Sequence, residues 1–165
     1  GGSHPGGVIR NNFIYAPQTR LYGQGSTGIE LAGATNTVVY HNTIRVAAAS
    51  IDVWISSGIR VFNNLLNVAE HRRDGSSWTV GGNLGDARDA DFSAPSDVHL
   101  ASGSRAIGAG VSVPDVLMDI DDQPRNGRFD VGADHFASGT QEPSDTIAPT
   151  VTIASPVNGA VVPRF

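Results

Sequence analysis

Two motifs that recur at the same offsets constrain this chain more than anything else in it. "IRNNFI" (9–14), "VYHNTI" (39–44) and "VFNNLL" (61–66) each read apolar, two variable residues, Asn, one variable residue, apolar. "VGGNLG" (80–85) keeps the pattern except at its last position. The shared amides are Asn12, Asn42, Asn64 and Asn83, and the last three are separated by 22 and 19 residues. "GIEL" from Gly28, "SIDV" from Ser50 and "AEHR" from Ala69 repeat those offsets, since Glu30 to Asp52 is 22 and Asp52 to His71 is 19. Chance matches would not share spacings.

Asn is depleted in strands because its side chain offers the backbone competing hydrogen bonds. An Asn at the same place in every repeat therefore reads as a turn residue. A period near 20 with at least two short strands fits a coil of a parallel β-solenoid, each turn stacked on the one before. Stacked about 4.8 Å apart, the amides can bond one another and the turn backbone as a ladder. Asn12 to Asn42 is 30 residues, and "YAPQTRLYGQGS" (15–26) is the loop expected to hold the excess.

With 39% apolar residues the chain can bury a core, and 20 Gly and 9 Pro favour short strands joined by turns. These features give an all-β expectation. The net charge is −5, and all eleven cations are Arg without a basic cluster, so nucleic acid is not an expected partner. The lack of Cys excludes disulfides and thiolate metal sites. No stretch approaches the roughly 20 apolar residues of a membrane span, and nothing at the start reads as a signal peptide. The opening "GGSHPGG" without Met reads as a mature or excised piece.

In these repeats the sequence resembles the right-handed parallel β-helix proteins, a group that includes pectate lyase-like and chondroitinase-like polysaccharide enzymes. The resemblance covers roughly residues 7–136. "DVHLASGSRAIGAG" (97–110) and "DIDDQPRNGRFDVGADHF" (119–136) look like the ending of many secreted bacterial β-helix proteins, with Asp122 where a Gly usually follows "DID". The expected organisation is about four C-terminal coils and an irregular closing segment over 1–136, a polar linker over 137–146, and a truncated immunoglobulin-like start over 147–165. The opening coil carries no capping element before Gly7, so further coils are expected upstream.

The second motif supplies the candidate site. If Ile29, Leu31, Ile51, Val53 and Ile55 point into the coil, alternation sends Glu30, Asp52 and Trp54 outward, with His71 and Arg73 next in register. An exposed Trp offers a flat surface for sugar rings, Arg72 or Arg73 can pair with a sugar carboxylate, and the acids and His71 can move protons. The plain alternative is a solvated face in which His71 relieves carboxylate repulsion and Arg73 covers Trp54. The same parity turns Glu70 and Arg72 inward, which points to an irregular last coil.

The resemblance implies a secreted or cell-surface protein acting on acidic polysaccharide. Glu30, Asp52, His71 and Arg73 are the candidate catalytic residues, and Trp54 and Arg72 the candidate substrate-binding residues. Glu30 with Asp52 on adjacent coils can form a glycosidase pair. A uronate lyase needs a base and a cation, which without Lys leaves His71, Arg72 and Arg73 locally. The competing expectation is a non-catalytic adhesin or binding rod. No cofactor is expected. Asp119, Asp121 and Asp130 fall at positions 1, 3 and 12 of a calcium loop, but Gln123 and Pro124 break that pattern, and a turn closed by Arg125 or Arg128 is the preferred reading. Oligomeric state is left open.

Overall fold

A computed structural model of the chain describes residues 4–17, 26–94, 96–113 and 115–137. The expected linker beyond 137 and the immunoglobulin-like start lie outside the described residues, as does most of the 15–26 loop. Ten strands carry the fold: β1 His4–Arg10, β2 Phe13–Ala16, β3 Thr27–Ala32, β4 Ala34–Tyr40, β5 Thr43–Val46, β6 Ala49–Trp54, β7 Ile59–Phe62, β8 Leu65–Leu66, β9 His71–Arg73 and β10 Trp78–Gly81. One short 3-10 turn follows at Asp89–Asp91.

Every third strand pairs with its predecessor, and every pairing between named strands is parallel. Sheet A runs β1-β4-β7-β10, sheet B runs β2-β5-β8, and sheet C runs β3-β6-β9. The chain visits A, B and C in rotation, an arrangement consistent with an all-β solenoid. Between the sheets lies a core of Ile29, Leu31, Val39, Ile44, Val46, Ile51, Val53, Ile59, Val61 and Leu66. Each such Val, Leu or Ile contributes about 1.5–3 kcal/mol through removal of its side chain from water, before the entropy cost.

The A–B corner is built the same way in each coil. The first corner residue takes a left-handed conformation, with φ of 51° at Asn11, 47° at His41, 54° at Asn63 and 64° at Gly82. The second is the ladder amide. Asn12 Nδ2 donates to Asn42 Oδ1 at 2.8 Å, Asn42 Nδ2 to Asn64 Oδ1 at 2.9 Å, and Asn64 Nδ2 to Asn83 Oδ1 at 3.1 Å. Each accepting Oδ1 also takes the backbone N–H of the Asn in the preceding coil. A smaller seryl ladder holds the C–A corner, where Ser56 Oγ accepts from Ala34 N–H and Ser76 Oγ accepts from Ser56 N–H.

Residues 86–137 form the closing segment, which packs along the A–B corner. Val113 and Val116 cover Val38, Tyr40 and Phe62 on the outer face of sheet A. Phe92, Leu100, Ala106 and Val131 cover Leu65 beside sheet B. Arg45 of β5 lies over the Phe92 ring at 4.7 Å and pairs with Asp89. At the corner itself, Asn11 Nδ2 donates to the Met118 carbonyl at 2.8 Å, His41 Nδ1 lies 3.1 Å from the Asp130 carbonyl, and Asn63 both donates to and accepts from the Val111 backbone.

Candidate functional site

The closing segment packs on parts of sheets A and B and leaves Val8 and Arg60 of sheet A exposed, while the outer face of sheet C carries the second recurring motif. The register there matches the spacing argument: Glu30 pairs with Asp52 and Asp52 with His71, while Ala32 pairs with Trp54 and Trp54 with Arg73. Two rows of side chains therefore lie across three adjacent strands.

Polar contacts join the rows into one strip. Trp54 Nε1 donates to Glu30 Oε1 at 3.2 Å, and the Arg73 guanidinium lies 4.8 Å from the centre of the Trp54 ring. Arg73 Nε and Nη2 donate to Asp52 Oδ2 at 3.1 and 2.9 Å, and Arg73 Nη1 donates to Asp74 Oδ2 at 2.9 Å. His71 Nδ1 lies 3.2 Å from Asp52 Oδ1. The Arg73 hydrogen bonds, helped by His71 and opposed by partial burial, hold the Asp52 carboxyl below its ordinary value.

Two expectations need correction. Asp52 is not displayed to solvent, because the longer His71 and Arg73 side chains of the next strand fold over it and leave its side chain 13% exposed. Ile55 does not line the core. The chain turns there with φ of 51°, a strained conformation for a β-branched residue, and the residue is 63% exposed. Arg72 pairs in register with buried Val53, as the parity required, yet it is exposed because sheet C has no strand beyond β9 among the described residues. It lies 5.9 Å from the centre of the Trp78 ring. Asp74, the second carboxylate on Arg73, was not picked out as a site residue, although its place beside "HRR" offered the signal.

The strip offers different chemical possibilities at different atoms. A general acid needs a carboxyl raised towards neutrality, and Asp52 is shifted the other way. His71 is better placed for proton transfer. If Nδ1 carries the proton towards Asp52, the exposed Nε2 is a free acceptor, with no partner among the described residues. Arg72 meets no carboxylate among the described residues and is available to an anionic group.

Of the three calcium-loop positions, Asp119 and Asp130 use their carboxylates on backbone N–H groups. Asp119 accepts the Asp121, Gln123 and His135 N–H groups, while Asp130 accepts those of Gly108 and Phe136 and pairs with Arg128 at 3.2 Å. No family model matches the chain, and neither a curated protein nor a solved structure matches it.

Proposed function

We propose that this chain is part of a secreted or cell-surface right-handed parallel β-helix protein whose sheet C face binds polysaccharide. The observation that carries the reading is the strip itself: an indole, two carboxylates and the Arg73 guanidinium in register on the outer face of sheet C. An indole edge and fixed carboxylates suit sugar rings and hydroxyls, and Arg72 supplies a cation for a uronate carboxylate. Binding is put ahead of cleavage because Asp52, hydrogen-bonded to Arg73 and held below its ordinary pKa, is a poor general acid.

A second reading, a polysaccharide lyase, rests on the Asp52–His71 contact. There the carboxylate orients the imidazole, and Nε2 takes the proton beside a uronate carboxylate.

The test is a polysaccharide panel against the full chain, with binding, unsaturated-uronate absorbance and reducing ends measured together. Binding without new ends is expected, with Trp54→Ala weakening affinity by about tenfold. Cleavage with absorbance that His71→Ala abolishes would establish the lyase reading instead. Binding that survives both Trp54→Ala and Arg72→Ala would remove sheet C from consideration.

A further inference from the structure

A second cluster lies away from sheet C, within the closing segment, and takes no part in the polysaccharide reading. His99, Asp121 and Asp134 each offer one ligand atom, all within 4.8 Å of one another. His99 Nε2 is 3.1 Å from Asp121 Oδ2, while its Nδ1 is held by the Asp97 carboxylate. The Asp97 carboxylate orients the ring as carboxylates orient metal-ligating imidazoles, with Nε2 turned to Asp121, and a metal ion would take the place of the proton between Nε2 and that carboxylate.

Asp134 gives the independent indication. It is only 3% exposed, its Oδ2 accepts a single N–H, that of Leu100 at 2.7 Å, and its Oδ1 has no partner among the described residues. Burial pushes its carboxyl above the ordinary value, and His99 attracts it electrostatically while Asp119 and Asp121 repel it. Arg125 lies within electrostatic range but directs its hydrogen bonds to carbonyl oxygens, including those of Gly132 at 3.0 Å and Ala133 at 2.8 Å, and to Asn11 Oδ1. A buried carboxylate with spare lone pairs and like-charged neighbours is costly unless a cation joins it. A cavity of about 260 Å³, lined by His99, Asp134, Ser93, Ser102 and Gln123 among others, adjoins the group and gives room for an ion and water.

We propose that His99, Asp121 and Asp134 bind a divalent transition-metal ion of the zinc class, tying together three stretches of the closing segment. One imidazole and two carboxylates leave a fourth position for water, a donor set that suits zinc better than calcium or magnesium, which favour oxygen alone. The ligands are 22 and 13 residues apart in sequence, so the ion closes two loops in the part of the molecule that has least regular structure. It binds the folded chain alone and raises its stability by mass action.

The experiment is a zinc titration of the EDTA-treated full chain by calorimetry and thermal unfolding, with cobalt absorption as a geometric probe. One ion per chain, a rise in the unfolding midpoint and tetrahedral cobalt bands are expected. His99→Ala and Asp121→Asn change partly exposed side chains and should each weaken zinc binding at least about tenfold without altering the far-ultraviolet spectrum. Asp97→Asn, which changes the side chain that holds both the His99 imidazole and the His99 backbone N–H, should weaken it about tenfold while the cobalt bands remain. The proposal is overturned if zinc does not bind, if calcium or magnesium competes on equal terms, or if His99→Ala and Asp121→Asn bind as tightly as the parent.

Discussion

Adjacent residues at the A–B corner divide two tasks between them. Asn63 takes the left-handed turn and reaches out to Val111, while Asn64 reaches in, donating to the Val39 and Phe62 carbonyls and joining Asn42 to Asn83. Asn64 is fully buried, so truncating it strands donors and acceptors that water cannot reach. Asn64→Ala is expected to lower stability by about 3 kcal/mol in urea unfolding, and Asn12→Ala, at the exposed end of the ladder, by about 1 kcal/mol. Equal losses would mean that the ladder does not act through burial. The ladder was legible because its partners recur at the repeat spacing. The task of Asn63 was not, because its partner lies 48 positions away in a segment without periodicity.

Strand β9 is short and exposed along its length, and beyond its backbone pairing with β6 it is held chiefly by Asp52 gripping Arg73 and His71. The folded-state pKa of Asp52 lies below the ordinary 3.8, so its contribution is complete above about pH 3.8 and is lost as pH falls through the lower folded value. Amide exchange should therefore show β9 losing protection below about pH 3.8 ahead of β6 and β7. Asp52→Asn should already show weakened protection of β9 at neutral pH. Parity and register of sheet C were readable from Glu30, Asp52 and His71, since alternation and spacing are local. Exposure was not, because the cover on Asp52 depends on how long side chains from the next strand fold, and a turn ended the alternation at Trp54, before Ile55.

At the scale of the molecule, the closing segment is joined to the coils through a buried imidazole. His41 is wholly buried between the Asp130 carbonyl at Nδ1 and the Asn63 amide at Nε2, a pairing that suits the neutral ring. Burial first, then the nearby Arg125 guanidinium, lowers its pKa from 6.5 to about 3. Folding therefore excludes a proton that the unfolded chain accepts, so stability is full above pH 6.5 and declines as pH falls towards 3. Between pH 7 and pH 5 the loss is expected to be about 2 kcal/mol in urea midpoints, and His41→Asn, which keeps a residue tolerant of the left-handed turn, should flatten the slope. An unchanged slope in that variant would place the titration elsewhere. Sequence showed that a closing segment exists but not where it docks, since its contacts join residues such as Asn11 and Met118 that are 107 positions apart. The corners differ in another respect. Two residues join sheets A and B in every coil, whereas the B–C connection takes ten residues (17–26), two (47–48) and four (67–70) in successive coils. The longest connection leaves the Asn12–Asn42 bond intact at 2.8 Å. Insertions and deletions in descendants of such a chain have a tolerated place, on the border of sheet C, so the loops flanking the proposed binding face can diversify while the opposite corner stays fixed.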